Sequence, residues 1–194
     1  IEAWGGAPLP QTSVGDDLEA TAAAVRTLDC DLIVTLGGAS VGDHDLVKPA
    51  MGRLGLDLIV ESVAVRPGKP TWFGALAGGR HVLGLPGNPA SALVCAELFL
   101  WPILRAMQGA DPEPRLLAAR TARPLAANGG REQWMRARLA PGPDGVLTAE
   151  PFADQDSSLV SVFASADALL RRPAGAAAVA AGEVVDVLPL ERMG

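Results

Sequence analysis

The apolar residues of the first half of the chain follow two patterns in turn: the three-to-four-residue spacing of amphipathic helices, and the short continuous runs of buried strands. The predicted helices cover Asp16–Leu28, Leu46–Leu54 and Ala90–Met107, and the predicted strands cover Leu32–Leu36, Leu56–Val65, Thr71–Leu76 and His81–Leu85. Residues 7–14 carry two prolines and predict either an edge strand or a loop. This alternation is typical of an α/β domain.

The pattern changes after Asp111-Pro-Glu-Pro114, a stiff polar segment that indicates a domain boundary. No long amphipathic helix is predicted beyond Gln108, and Pro141–Gly145 has the composition of a hairpin turn. Short strands are predicted at Leu116–Leu125, Glu132–Leu139, Val146–Phe152, Ala168–Arg171 and Glu183–Leu190. The prediction is therefore an α/β domain at residues 1–110 and a small β-barrel or β-sandwich at residues 111–194.

The composition of the 194 residues is that of a globular chain, with 49% hydrophobic and 20% charged residues, which excludes a disordered protein. The formal net charge of −6 argues against nucleic acid as the main partner, although it allows a local basic pocket. We find no apolar run of membrane-spanning length and no signal peptide, so no membrane association is expected. The start at Ile1 with a helix-like tail ending at Gly5 leads us to expect a fragment of a longer protein.

Cysteines and histidines do not predict a metal or covalent site. Cys30 and Cys95 are far apart in apolar settings, which is typical of packing thiols in a reducing compartment such as the cytoplasm. His44 and His81 lack partners at ligand spacing. Because no serine–histidine or cysteine–histidine arrangement is recognisable, an acidic phosphohydrolase has no candidate nucleophile here. Neither a P-loop nor a Rossmann glycine motif is present.

Three segments carry residues suited to ligand chemistry at a sheet edge. Gly37 to Asp45 follows a predicted strand, and its glycines allow a ligand to approach the backbone while Asp43 and Asp45 supply carboxylates. Arg66–Pro70 is a rigid turn whose two cations suit phosphate or another oxyanion. Pro86–Ser91 offers backbone amides at a helix start. The combination favours a phosphorylated or nucleotide ligand with a magnesium ion.

Each segment also has a purely structural interpretation. Asp16 and Asp17 are the kind of residue that caps a helix, and the cations at Arg66 and Lys69 could be solvated turn charges. The stretch Gly84–Pro89 could be a plain connection, although two prolines and two glycines in it favour an imposed shape.

Taken in order, Gly37-Gly-Ala-Ser-Val-Gly-Asp-His-Asp45, Arg66-Pro-Gly-Lys-Pro70 and Gly84-Leu-Pro-Gly-Asn-Pro-Ala-Ser91 resemble the molybdopterin molybdenumtransferase family, which includes the second enzymatic domain of gephyrin. The resemblance implies a three-layer molybdopterin-binding α/β domain, lacking its first strand and two preceding domains, followed by a β-domain. It implies molybdenum cofactor biosynthesis, in which molybdate is transferred onto adenylylated molybdopterin with magnesium and AMP is released. It also implies a homodimer that shares its active sites, with no nucleic-acid or membrane partner.

The resemblance also assigns roles to single residues. It implies catalytic roles for Asp45, Arg66 and Lys69, and magnesium binding by Asp45 with Asp16, although Asp17 remains the alternative second acid. Arg136 and Ser157 are implied to complete the oxyanion pocket. The implied substrate-binding set also contains Gly37, Gly38, Ser40, Pro86, Gly87, Asn88, Pro89 and Ser91.

Two positions depart from the family pattern. Arg66 stands where lysine is as common, and Ser62 stands where some members carry another lysine, so one positive charge of the family site is missing there. Because the resemblance implies that parts of the full-length protein are missing from this chain, a second hypothesis stays open beside the enzyme: a molybdopterin-binding or scaffold module without turnover in this fragment.

Overall fold

The first half of the chain forms a mixed sheet covered by helices on both faces. The computed structural model describes residues 1–10, 13–15, 17–37, 46–142 and 144–190. Helices in this half are α1 (Leu18–Arg26), α2 (Val47–Arg53), α3 (Pro89–Cys95) and α4 (Trp101–Met107), and strands are β1 (Leu32–Leu36), β2 (Asp57–Val60), β3 (Val65–Arg66), β4 (Trp72–Ala75) and β5 (His81–Leu85). The first sheet has the order β1-β5-β4-β2, in which β1 and β5 are parallel and the other pairs antiparallel.

Two apolar clusters hold the three layers together. On one face of the sheet, Val25 of α1 and Met51 of α2 pack against Trp72. On the other face, Leu100 and Leu104 pack against Leu83 and Leu85 of β5. Burial of these side chains is the main source of stability for such a layered domain. The predicted three-layer α/β fold is confirmed.

The helix start at residue 17 is explained by its own side chain. Asp17 Oδ1 accepts a hydrogen bond from the backbone N–H of Ala20 at 2.6 Å, which satisfies one of the free donors of the first turn of α1. Asp17 is therefore a helix cap. Asp16, its alternative as a ligand, lies outside the described residues.

The long apolar helix corrects one expectation from the sequence. A π-helical segment, Ala96–Leu100, joins α3 to α4, so Pro89–Met107 forms 19 continuous helical residues. By length and composition, this is the one helix of the described residues that could cross a membrane, whereas we expected no apolar run of that length. Polar residues such as Glu97 and Arg105 interrupt its apolar side chains, so the sequence shows no unbroken apolar run of that length. The helix packs its apolar side chains against β5, as core helices also do.

The second half of the chain forms a closed β-barrel, which decides between the two predicted architectures. Its elements are β6 (Leu117–Thr121), β7 (Glu132–Pro141), β8 (Leu147–Pro151), α5 (Val160–Ala164), β9 (Ala168–Arg172) and β10 (Val184–Pro189). The order β7-β8-β6-β10-β9 closes on itself because β9 also pairs with β7. Small and branched apolar side chains such as Ala137, Ala149, Leu170 and Val187 fill the interior.

The prediction of one strand over Leu56–Val65 was wrong. β2 ends at Val60 in the first sheet, and β3 pairs in parallel with β7 of the second sheet, with Arg66 opposite Gln133. The polar pair Glu61-Ser62 interrupts the apolar residues where the chain leaves the first sheet, but such a pair also occurs within single strands, so composition alone does not reveal the change of sheet. This change places the turn Arg66–Pro70, called the basic turn below, between the two sheets. The proposed domain boundary at residue 110 stays a prediction.

Candidate functional site

The ends of β1 and β5 approach each other closely, as two ligand loops at one sheet edge should. Gly37 has φ +80° and donates its backbone N–H to Leu85 O at 3.2 Å. A Cβ built on Gly87 would lie 3.4 Å from Gly37 Cα, so the two loops meet through their backbones. The predicted site residues Gly38, Ser40 and Asp45, and the neighbouring Asp43, lie outside the described residues.

The basic turn is supported from below by a cysteine of α3. Thr71 Oγ1 donates to Cys95 Sγ at 3.3 Å, and the thiol reaches Pro67 O at 3.8 Å. Gly68 has φ +124°, and a Cβ there would lie 2.3 Å from Cys95 Sγ, so only glycine fits. Burial raises the pKa of the Cys95 thiol to about 11, although the hydrogen bond from Thr71 lowers it. The thiol is therefore neutral near pH 7 and fills the space beneath the turn. The two cations of the turn, Arg66 and Lys69, are exposed.

The loop before α3 is docked on a turn of the barrel domain. Asn88 Nδ2 donates to Ser157 Oγ at 2.8 Å, and the backbone N–H of Ala90 donates to Ser157 O at 3.1 Å. Two residues predicted separately, 69 positions apart in the chain, are thus in direct contact. One amide of the predicted anion cradle is already occupied by this contact.

Arg136 lies behind the barrel turn at residues 155–159. It is only 1% exposed. Its Nη1 donates to Asp156 O at 2.9 Å and to Leu159 O at 3.3 Å, while its Nε donates to Gln155 Oε1 at 3.2 Å. Burial lowers the pKa of its guanidinium, and nearby Asp154 and Asp156 act in the opposite direction. In the described structure, Arg136 shapes the turn that carries Ser157 and is not among the residues that line the cavity next to it.

That cavity, of about 430 Å³, lies between the two sheets. Six predicted residues line it: Arg66, Lys69, Pro86, Asn88, Ser91 and Ser157. The sequence interpretation missed the lining residues Pro67, Gly68, Pro70, Arg131, Gln133, Trp134, Gln155 and Asp156. The prolines and Gly68 belong to a predicted turn. Arg131, Gln133 and Trp134 enter because β3 pairs with β7, and Gln155 and Asp156 precede Ser157, which contacts Asn88. Nothing in the local sequence signals that pairing.

The charges of the described lining favour an anion. Arg66, Lys69 and Arg131 contribute positive charge, against the single carboxylate of Asp156. Asp156 Oδ1 accepts hydrogen bonds from both Ser158 Oγ and the Ser158 backbone N–H, which lower its pKa. The described lining contains neither cysteine nor histidine. The arrangement can therefore bind and neutralise a tetrahedral oxyanion, and it does not supply a thiol or imidazole for covalent chemistry.

The described residues do not test the predicted magnesium site. No cluster of three or more His, Cys, Asp or Glu side chains suited to a metal occurs among them. The predicted ligands Asp45 and Asp16 both lie outside the described ranges. Magnesium binding stays a prediction.

Comparisons with known proteins agree with this arrangement. A model of a probable molybdopterin binding domain matches residues 1–106, and a model of the MoeA C-terminal region (domain IV) matches residues 118–190. Molybdopterin molybdenumtransferase 2 of Mycobacterium tuberculosis is 38% identical over 195 residues, covering 96% of this chain and 47% of that protein. The molybdopterin molybdenumtransferase of Bacillus subtilis is 33% identical over 191 residues, covering 97% and 44%.

The fold is also similar to that of a solved structure. The crystal structure of a molybdopterin biosynthesis moea protein from Pyrococcus horikosii superposes with a TM-score of 0.73 at 28% identity, covering 92% of this chain and 42% of that one. The chain spans about half the length of the curated relatives it matches.

Proposed function

Because the chain belongs to the molybdopterin molybdenumtransferase family, we propose that the full-length protein transfers molybdenum from molybdate onto adenylylated molybdopterin and releases AMP. The observation that supports this most directly is the cavity between the sheets, which Arg66, Lys69 and Ser157 all line. Molybdate is a tetrahedral dianion, and fixed cations with a hydroxyl donor are what such an anion requires.

The contact between Asn88 and Ser157 prepares that hydroxyl for anion binding. Since Asn88 Nδ2 donates to Ser157 Oγ, the oxygen acts as the acceptor in this bond and its own hydrogen is left to donate. Arg66 offers a planar fork of N–H donors, and Lys69 offers a compact charge. Fixed donors of this kind neutralise charge without reorganising during the reaction.

Several properties of the full-length protein belong to the same proposal. We place magnesium at Asp45 with Asp16; when bound, it would offset the charge of the phosphoanhydride. We propose a homodimer in the cytoplasm, acting on small molecules and not on nucleic acid or membranes.

Removal of one cavity cation tests the proposal through binding alone. We expect Arg66→Gln in the full-length protein to weaken molybdate binding roughly tenfold, because one charge-assisted contact is lost. The matched control is Arg115→Gln, an exposed arginine outside the cavity lining. Isothermal titration calorimetry with molybdate measures the affinity of wild type and of both variants. Equal affinities of Arg66→Gln and wild type would exclude this turn from the oxyanion site.

A second candidate function is a molybdopterin-binding or scaffold module without turnover. It is favoured by a described cavity whose cations and hydroxyl are sufficient for binding an anion. Molybdate binding by the full-length protein without release of AMP would support this alternative over the enzyme.

A further inference from the structure

Arg131 lines the cavity from the barrel side. It is far from the basic turn in the sequence, but it shares the same cavity with Arg66 and Lys69. It directly precedes β7, whose first residues pair with β3, so that Glu132 lies opposite Val65 and Gln133 opposite Arg66. The backbone N–H of Glu132 also donates to Ala64 O at 2.9 Å. The two arginines therefore enter one cavity from adjacent strand segments.

The backbone of Arg131 is held firmly. Asn128 Nδ2 donates to Arg131 O at 2.8 Å, to Pro173 O at 2.8 Å and to Arg172 O at 2.9 Å. Gly129 O accepts from the backbone N–H of Gly175 at 2.8 Å. The loop that carries Arg131 is thus tied to the end of β9, and the position from which its side chain projects is fixed.

The side chain of Arg131 makes no contact that stabilises the fold among the described residues. No hydrogen bond or ion pair joins its guanidinium to another described residue. The adjacent Glu132 cannot neutralise it, because Oε1 accepts from Trp134 Nε1 at 2.9 Å and Oε2 accepts from Arg171 Nη2 at 2.8 Å. Asp156, the carboxylate of the described lining, is engaged by Ser158.

Three cations around one cavity repel each other unless an anion lies between them. We propose that Arg131 is an additional substrate-binding residue, which contacts a tetrahedral oxyanion, either molybdate or a phosphate group of the adenylylated substrate. The inference rests on the proposed function, because it assigns one more contact to the same site. A guanidinium suits this role, since its planar N–H donors bind two oxygens of one oxyanion.

The test compares full-length wild type, Arg131→Gln, Arg131→Lys, Lys69→Gln and the control Arg115→Gln by isothermal titration with molybdate and, separately, with AMP. We expect Arg131→Gln to lose roughly tenfold in affinity for at least one anion, Arg131→Lys to lose less because it keeps the charge, and Arg115→Gln to match wild type. Thermal unfolding should be unchanged in Arg131→Gln, since the described guanidinium has no structural partner.

The outcomes separate the inference from the function on which it rests. Weaker molybdate binding alone assigns Arg131 to the metal oxyanion, weaker AMP binding alone assigns it to the phosphate, and either supports the inference. Wild-type affinity of Arg131→Gln for both anions, with weakened Lys69→Gln, overturns the inference and leaves the proposed function standing. A wild-type protein that binds neither anion overturns both.

Discussion

At the scale of single residues, Cys95 shows how a buried group supports the site without entering it. The thiol is free and buried, as predicted, and it lies under the turn that carries Arg66 and Lys69. Cys30, for which the same was predicted, is only partly buried. The role of Cys95 is thus to fill the space that Gly68 leaves open.

The thiol of Cys95 should titrate far above the ordinary range. Because burial raises its pKa from 9.0 to about 11, its contribution to folding stability is fully present below pH 9.0 and is lost as the pH rises towards 11. The difference corresponds to about 2–3 kcal/mol. We expect the thiolate absorbance that disappears in Cys95→Ala to develop near pH 11 in native wild type. An apparent pKa at or below 9.0 would contradict this burial.

The residues of the site could be predicted from the sequence, whereas most of the contacts between them could not. Arg66, Lys69, Asn88 and Ser157 were predicted from motifs and a family resemblance, and all four line the cavity. The sequence did not indicate Arg131, because its place in the cavity depends on a strand pairing between residues 67 positions apart, such as Val65 and Glu132. Nor did it show that Arg136 would be buried behind its turn, since burial depends on packing of distant segments.

At the scale of elements, the pattern of apolar residues predicted the positions of most helices and strands, but it did not predict which strands pair with each other. All five predicted barrel strands exist, yet closure depends on the pairing of β7 with β9, which is invisible in local composition. Likewise, the predicted strand over Leu56–Val65 divides between two sheets. Pairing is a long-range property, and short apolar runs specify it only weakly.

The packing of Trp72 in the first sheet requires a glycine at position 84 of the neighbouring strand. Thr35, Gly84 and Trp72 are register partners on β1, β5 and β4, and Trp72 is fully buried. A Cβ on Gly84 would lie 1.9 Å from Trp72 Nε1. Gly84→Ala should therefore destabilise the full-length protein by about 1–3 kcal/mol through overpacking. In a Trp72→Leu background, which lacks the indole ring, the same Gly84→Ala change should cost less than it does in wild type.

A glycine in open space provides the control for this prediction. Gly52 lies in α2 with no atom near its built Cβ, so Gly52→Ala should raise stability by about 0.5–1 kcal/mol. Thermal unfolding of the variants measures both effects. An unchanged unfolding midpoint for Gly84→Ala would show that the indole does not occupy the space above β5.

At the scale of the whole molecule, the candidate site exists only because the two sheets meet. β3 connects the first sheet to the barrel, and Ser157 of the barrel contacts Asn88 of the α/β half. The family resemblance predicted both folds, and the comparisons confirm them. The meeting of the cations with the hydroxyl in one cavity required the three-dimensional arrangement, because each motif alone is compatible with a solvated turn.

The most direct test of the proposed activity is AMP release by the full-length protein from adenylylated molybdopterin, measured against molybdate concentration in wild type and Lys69→Gln. We predict that release by wild type rises with molybdate and saturates, and that Lys69→Gln requires roughly tenfold more molybdate for half-maximal rate because one fixed cation is lost. AMP release that is independent of molybdate, or a Lys69→Gln profile identical to wild type, would contradict the assignment of this cavity to molybdate transfer.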